Sequence, residues 1–112
     1  MTMILSMVTI SPDPENRLAV LEILLSVKGP TLAEQGCLSC CIYEESDEAY
    51  VITYLEKWQS AAEMYRHIRS PLYVRVLKAM ELSSSKPEIV FNEVTGSRGM
   101  ELIESLRTLP IQ

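Results

Sequence analysis

The sequence predicts a single α+β domain, and three observations lead to that prediction. Its 112 residues suffice for one domain with a real core. Short segments rich in β-branched and aromatic residues alternate with segments of helical periodicity. Turn residues separate these segments into the order strand, helix, strand, strand, helix, strand, with a further helix at the end. This order is the split βαβ arrangement of a ferredoxin-like fold, with a four-stranded antiparallel sheet and an extra C-terminal helix.

The first strand and first helix come from the first third of the chain. Residues 3–10 form a short apolar segment typical of a buried strand. Asp13 suits an N-cap, with Pro14 at the first helical position. Gly29-Pro30 predicts the end of the helix or a kink in it. The helix is amphipathic, and leucines recur along it at helical spacing: Leu18, Leu21, Leu24 and Leu25.

A β-hairpin follows, with strands at residues 37–45 and 50–58 and a polar loop at 46–49. Cys37, Cys40 and Cys41 lie on its first strand. Side chains three residues apart on a strand point to opposite faces, so Cys37 and Cys40 cannot share a metal ion. Cys37 and Cys41 are roughly 13 Å apart, at about 3.3 Å per residue, which is too far for a disulfide. We expect three reduced thiols.

The second helical region begins at Ser60, whose N-cap role is supported by Glu63 three residues later. Ser70-Pro71 is expected to break the region into two pieces. Its apolar stripe consists of Ala61, Tyr65, Ile68, Leu72, Val76 and Met80.

The end of the chain adds a fourth strand at residues 89–94 and a short helix carrying Met100, Ile103 and Leu106. We expect residues 1–95 to form the domain and residues 96–112 to form a linker and C-terminal helix. The apolar side of that helix must lie on its own domain or on a partner chain.

The sheet is predicted to bury both of its faces. Val51 and Leu55 are apolar on one side of the third strand, and Ile52 and Tyr54 on the other. Two helices cover only one face of a four-stranded sheet. The sequence therefore predicts a two-fold homodimer through sheet faces.

Charge and hydropathy exclude several classes of partner. Fifteen acidic residues against ten basic ones give a net charge of −5, and the basic residues do not cluster. We therefore expect no nucleic acid and no anionic membrane as partner. No apolar run approaches the roughly 20 residues of a membrane span, and the first ten residues lack the features of a signal peptide. The expected location is the cytoplasm.

Candidate site residues surround the hairpin exit. Trp58 shares a strand face with Tyr54, and either could line a pocket or fill the core. His67 is the only histidine and could exchange a proton near neutral pH, or form a surface pair with Glu63 one turn earlier. Tyr65 could be a core residue or a substrate contact, and Arg75 could orient an anionic oxygen or face solvent. No phosphate loop, nucleophile elbow or metalloprotease motif is present.

Four segments resemble the antibiotic biosynthesis monooxygenase domain family of dimeric α+β barrel proteins. They are Ala33-Glu34-Gln35-Gly36-Cys37-Leu38, Leu55-Glu56-Lys57-Trp58, residues 60–67 and residues 87–91. The resemblance spans about residues 3–95. It implies the ferredoxin-like fold and a homodimer.

The resemblance also implies an activity, namely cofactor-independent oxygenation of a small aromatic or quinol-type substrate by dioxygen, in a pocket between sheet and helices. In that interpretation Tyr54 and Trp58 form the pocket wall, and Tyr54 stands where oxygenase members carry Asn. His67 is the general base or a hydrogen-bond partner. Tyr65 and Arg75 are further substrate contacts, and neither a cofactor nor a metal is required.

Two other functions stay open. The first is a non-catalytic module for small-ligand binding or dimeric interaction. The second is the haem-degrading branch of the family, which has Trp and His in the same region, as Trp58 and His67 here, with the histidine as the ligand of the iron. That branch also needs an Asn on the first strand, and residues 3–10 contain none.

Overall fold

The centre of the molecule is a four-stranded antiparallel sheet. A computed structural model of the chain describes residues 2–48 and 50–108. The strands occur in the order β2-β3-β1-β4. This order confirms the predicted ferredoxin-like α+β fold. The strand bounds are β1 Met3–Ile10, β2 Cys37–Glu44, β3 Ile52–Trp58 and β4 Glu88–Val94.

Helices account for the remaining elements. They are α1 Arg17–Leu32, α2 Ala61–Ile68, α3 Tyr73–Glu81 and α4 Met100–Thr108. A 3-10 turn over Pro14–Asn16 leads into α1, with Pro14 in the first-turn position that the sequence predicts. The second helical region is broken between α2 and α3, as expected, whereas α1 continues past Pro30 to Leu32. Within the described ranges, none of these helices combines the length and apolar character that a membrane span requires.

The buried face of α1 differs from the predicted one. Leu18 and Leu25 are 65% and 60% exposed, although the leucine spacing placed them on the apolar side. Helical positions four, seven and eleven residues apart share a face, and this series starts at Val20 rather than at Leu18. The residues that meet the sheet are therefore Val20, Leu24, Val27 and Thr31.

The core lies between the helices and one face of the sheet. The register pairs Ile4 with Trp58, Val8 with Tyr54 and Ile10 with Ile52. Because alternate residues of a strand share a face, these paired side chains point together toward the helices. The pairs at Val8 and Ile10 belong to the main cluster, which also includes Leu24 and Val27 of α1, Tyr73, Val76 and Ala79 of α3, and Cys40 of β2. Ile4 and Trp58 form a second cluster with Met64 of α2.

The opposite face of the sheet is apolar as well. Met7 pairs with Leu55 on one side and with Val90 on the other, so the three side chains form a row across three strands. Met7 is 36% exposed and Val90 47% exposed. The packed helices lie on the other side, so this row of apolar side chains is in contact with solvent.

A β-bulge in β2 changes the placement of the cysteines. The register shifts between Cys37 and Ser39, so that Cys37 pairs with Trp58 and Cys40 with Glu56. The extra residue turns both thiols toward the helices, and the prediction that Cys37 and Cys40 face opposite sides is therefore wrong. All three cysteines are free, as expected. Burial raises the pKa of Cys37 to about 11 and that of Cys40 to about 12, so both stay protonated thiols.

The α1 assignment yields a paired test of stability. We expect Leu24→Ala to lower the free energy of unfolding by about 2–5 kcal/mol, because it opens a cavity in the core. The matched change Leu25→Ala, one residue along and exposed, should cost less than about 0.5 kcal/mol. Urea unfolding followed by circular dichroism measures both. Equal costs would contradict the assigned buried face.

Candidate functional site

Strand β3 presents a carboxylate to the core between two aromatic rings. Its helix-facing residues are Ile52, Tyr54, Glu56 and Trp58, and all four are buried. Glu56 has no exposed surface at all. A buried carboxylate is costly unless its oxygens are hydrogen-bonded or paired with a charge, so its neighbours decide what this site can do.

Helix α2 brings the histidine to this carboxylate. Ser60 caps the helix as predicted, because its side chain accepts a hydrogen bond from the Glu63 amide. Glu63 itself accepts from the Ser60 hydroxyl at 3.0 Å, so it does not pair with the histidine. His67, two turns into the helix, is buried together with Met64. The surface pair of His67 with Glu63 is therefore wrong.

Two carboxylates hold the imidazole of His67. Its Nδ1 lies 2.6 Å from an oxygen of Glu34, and its Nε2 lies 2.9 Å from an oxygen of Glu56. The second oxygen of Glu56 accepts a hydrogen bond from the Trp58 indole at 2.9 Å. Glu34, Glu56, Trp58 and His67 thus form one chain of contacts, which we call the carboxylate–imidazole network. Glu34 forms its outer end, since its side chain is 26% exposed while Glu56 is fully buried.

The geometry of the network favours a protonated imidazole. An ionised carboxylate only accepts hydrogen bonds, and neutral histidine carries one N–H, so two carboxylate contacts are satisfied together only by imidazolium. Burial by itself lowers the pKa of His67, but the hydrogen bond and charge of Glu56, followed by those of Glu34, outweigh it. The net shift of the His67 pKa is upward. The imidazole of His67 is therefore protonated and carries a positive charge between two carboxylates.

Aromatic rings enclose the imidazole. The Trp58 ring lies 5.0 Å from it between centroids, and the Tyr73 ring lies 5.4 Å away in an edge-on arrangement. Burial, with the charge of Glu56, raises the pKa of Tyr73 to about 12. These rings keep water away from the network, which strengthens its electrostatic contacts.

Tyr54 lies on the same strand face, one position before Glu56 in the alternation. The Cys40 thiol donates a hydrogen bond to its hydroxyl oxygen at 3.3 Å. Burial and then the charge of Glu56 raise the pKa of Tyr54 far above its usual range. The phenol therefore stays neutral, and it extends the polar row along β3 toward β2.

Tyr65 and Arg75 lie away from this cluster. Tyr65 is 49% exposed, and the guanidinium of Arg69 lies 5.9 Å from its ring centroid, so its place in the predicted apolar stripe is wrong. Arg75 is exposed on α3, where it donates a hydrogen bond to the carbonyl of Ser26 on α1. Of the five predicted site residues, the structure brings together Tyr54, Trp58 and His67.

The space around these three residues is filled. No cavity is found in the part of the chain that the structure describes, and those residues contain no group of three metal-ligating side chains. Both nitrogens of His67 are engaged by carboxylates. Neither nitrogen is left to bind iron, so this arrangement does not fit a haem group.

The two carboxylates of the network are the site residues that sequence reasoning missed. A signal for Glu56 was available, because an acidic residue interrupts the alternation of large apolar residues on the inner face of β3. Glu34 gave no such signal, since it reaches His67 from the connection between α1 and β2. That connection turns at Gly36, where φ is +88° and a Cβ would overlap the Glu63 carboxylate. Glycine is therefore required there.

A family model agrees with this architecture. The model for antibiotic biosynthesis monooxygenase matches residues 3–79, which contain β1 through most of α3 and the whole carboxylate–imidazole network. The chain belongs to the antibiotic biosynthesis monooxygenase family. Among curated proteins, no match was found.

Solved structures share the fold of this antibiotic biosynthesis monooxygenase family member. A conserved protein from Methanosarcina mazei is 25% identical, with a TM-score of 0.76, over 82% of this chain and 92% of that one. A Deinococcus radiodurans protein bearing the same family name is 19% identical, with a TM-score of 0.79, over 87% and 97%. A Bacteroides thetaiotaomicron protein of unknown function, named a possible oxidoreductase, is 23% identical, with a TM-score of 0.76, over 83% and 98%.

The charge on His67 predicts a pH-dependent stability. At pH 6, His67→Gln should lower the free energy of unfolding by about 3–5 kcal/mol, because it leaves Glu56 buried without its cationic partner. The folded-state pKa of His67 lies above its unfolded value of about 6.5, so the stabilising charge is complete below that pH. It is lost as pH rises through the folded-state value.

Urea unfolding of both proteins from pH 6 to pH 9 measures this effect. The difference in unfolding free energy between wild type and His67→Gln should shrink as the pH increases. Glu22→Gln, an exposed change on α1, serves as the control and should track the wild type at every pH. A difference that stays constant over the range would mean that His67 is neutral in the folded protein.

Proposed function

We propose that this family member is a cofactor-independent monooxygenase that acts on a small aromatic or quinol-type molecule. The observation that carries the proposal is the carboxylate–imidazole network, a buried proton-exchanging group directly beside an indole ring. Family membership supports the same reading. Perturbed titratable groups in contact with aromatic walls are typical of sites that move protons.

In the proposed reaction the substrate supplies the electrons. A phenol or quinol loses a proton, and the resulting anion reacts with dioxygen. One oxygen atom is inserted at a ring carbon while the ring is oxidised to the quinone level, and the other oxygen leaves as water, so the product has one oxygen more and two hydrogens fewer than the substrate. The protein must hold the ring, favour the anion and exclude water. While His67 is protonated, a carboxylate of the network accepts the phenolic proton, and Glu34 passes it outward because its partly exposed side chain connects the buried imidazole to solvent.

The proposed roles follow the surroundings of each residue. Tyr54 and Trp58 form the wall against which the substrate ring lies. His67, as imidazolium, is the hydrogen-bond partner that favours the substrate anion, and it acts as general base once its own proton has passed to a carboxylate of the network. Tyr65 and Arg75, which lie farther out, contact the substrate only at the entrance. Because the interior is filled, substrate binding requires α2, together with the side chains packed beside Trp58, to move outward from the sheet.

A homodimer belongs to the same proposal. The open face of the sheet carries the row Met7, Leu55 and Val90, with Leu5 two residues from Met7 on β1, and a second copy can cover it by the same face under two-fold symmetry. We propose the cytoplasm as the compartment, since the three cysteines are free thiols.

A second candidate function rests on the closed interior. Filled space beside Trp58 and the full engagement of both His67 nitrogens also suit a non-catalytic module, either a small-ligand binder or a dimeric scaffold. In that case the network stabilises the fold and moves no substrate proton. Activity measurements distinguish the two functions.

Oxygen uptake tests the monooxygenase proposal. Purified protein supplied with a panel of quinols and anthrone-type phenols should consume dioxygen above the uncatalysed rate. Glu56→Gln should lower the rate at saturating substrate by about 100-fold, the scale on which a general base contributes. Its control, Glu22→Gln, should leave the rate unchanged. No uptake with any member of the panel, while the protein is folded and dimeric, would favour the non-catalytic module.

Sedimentation tests the dimer separately. The wild type should sediment as a dimer at micromolar concentration. Met7→Glu places two unpaired charges in the proposed interface and should raise the dissociation constant on the order of 100-fold. Leu77→Glu, a comparable change at an exposed leucine on α3, should have no effect. A wild type that sediments as a monomer would refute the interface.

A further inference from the structure

Helix α1 carries a second apolar face, which the described part of the chain leaves uncovered. Leu18, Leu25 and Leu32 are 65%, 60% and 45% exposed. They recur at a seven-residue interval, which keeps side chains on one side of a helix. Leucines repeated in this way are typical of helices that pair with another helix. We call these three residues the leucine stripe.

The leucine stripe lies at the side of the molecule, clear of the other helices. The ion pair between Arg17 and Glu44 holds the start of α1 beside the end of the edge strand β2. Helix α3 lies on the other side of α1, where Arg75 donates a hydrogen bond to the Ser26 carbonyl. Successive helical residues are about 100° apart, so Leu25 points away from the contact that Ser26 makes with α3. Another molecule can therefore approach the stripe freely.

We propose that the leucine stripe pairs with the leucine stripe of a second copy, with the two α1 helices antiparallel about a two-fold axis at Leu25. This symmetry matches each residue with the one equally far beyond position 25 in the other chain. Leu18 then meets Leu32 of the second copy, and the two Leu25 side chains meet on the axis. The contact therefore has three layers, each of leucine on leucine.

The same symmetry brings opposite charges together. Glu22 lies three residues before Leu25 and Lys28 three residues after it. Three residues turn a helix by about 300°, so these side chains lie about 60° to either side of Leu25. The two-fold rotation moves Glu22 of one copy to the side and height of Lys28 of the other, and it does so twice. Neither residue forms an ion pair within residues 2–48 and 50–108 of its own chain.

Gly29 provides room for close approach of the two helices. It lies four residues after Leu25, and Leu21, which is half-buried, lies four residues before it. The two-fold rotation therefore places Leu21 of the second copy on Gly29. A Cβ at Gly29 would meet no atom within 4 Å, so the surface there is open. Glycine destabilises a helix relative to alanine, and here its missing side chain lets a leucine reach the helix backbone.

Helix α4 matches the leucine stripe less well than α1 does. Its nine residues, Met100–Thr108, measure about 13 Å, whereas the stripe runs for about 21 Å from Leu18 to Leu32. A helix of that length would leave about a third of the stripe in solvent, whichever copy supplied it. A second α1 matches the stripe in length, in its leucines and in its charges. These three matches select a second copy as the partner.

The contact is small and therefore weak. Two helices that meet through these side chains bury at most about 1,000 Å² in total, so we expect a dissociation constant on the order of tens of micromolar. The leucine stripe belongs to the helical layer, so its pairing leaves the open sheet face free. At low micromolar concentrations in unfolding and oxygen-uptake measurements the stripe is unpaired. Leu25→Ala and Glu22→Gln therefore act as exposed changes in those measurements.

Thiol cross-linking of the full chain tests the pairing and its direction. Leu18→Cys and Leu32→Cys proteins are mixed at roughly 200 µM, well above the expected dissociation constant, and treated with a short bismaleimide. Mass mapping of the two-chain products should find the link between positions 18 and 32 at least about fivefold more often than either like-with-like link. Leu77→Cys, at an exposed leucine of α3, measures the yield of random collisions.

Three results of the cross-linking would overturn the proposal. The first is a statistical mixture, in which the link between positions 18 and 32 is only about twice as frequent as each like-with-like link. The second is a dominant link to another part of the chain, α4 included. The third is a yield no higher than that of Leu77→Cys.

Charge reversal tests the ion pairs. Sedimentation equilibrium from about 10 to 300 µM should show the mass doubling as the leucine stripes pair. Lys28→Glu brings like charges together twice and should raise the dissociation constant of this step about tenfold. Adding Glu22→Lys should restore it. Lys78→Glu, the same change at an exposed site on α3, should have no effect. No mass doubling, or the same dissociation constant in all four proteins, would overturn the pairing.

The doubling can be read whatever the open sheet face does. It leads from two chains to four if that face is paired, and from one chain to two if it is not. Neither measurement uses substrate or dioxygen. The outcome is therefore independent of the monooxygenase proposal and of the Met7→Glu experiment.

Discussion

The buried charge of Glu56 is the constraint on which the rest of this structure depends. A carboxylate without solvent contact destabilises the folded protein unless both of its oxygens accept hydrogen bonds. Here an indole N–H and an imidazolium N–H donate them. His67 must then reach the sheet, which fixes where α2 begins and how it lies against β3. Glu34 must meet the outer nitrogen, which fixes the turn at Gly36. One buried carboxylate thus constrains the positions of three segments, namely β3, α2 and the connection between α1 and β2.

Much of the fold could be predicted because periodicity and turn chemistry are local. The strand and helix order, the cap at Ser60 and the break near Pro71 follow from such patterns, and the structure contains them. The wrong predictions concern the side of a helix or strand on which a residue lies. Leu18 and Leu25 have helical spacing but lie opposite the sheet, and a single bulged residue reverses the side to which Cys37 points. Neither effect is visible in residue spacing.

The candidate site was predictable only in part, for the same reason. Trp58 and His67 are rare residue types in a suggestive order, so the sequence singles them out. Their link passes through Glu56 and Glu34, residues from distant parts of the chain, and a surface carboxylate looks the same as a buried one in a sequence. What the network adds is a protonated imidazole shielded from water between two carboxylates.

The contact between the indole and the imidazole has an optical consequence. Trp58 is the only tryptophan, and its ring lies beside that of the only histidine. Imidazolium quenches indole emission more strongly than neutral imidazole does, so the protein's intrinsic fluorescence is a built-in reporter of the charge inside its core. No dye or label is needed to follow that charge.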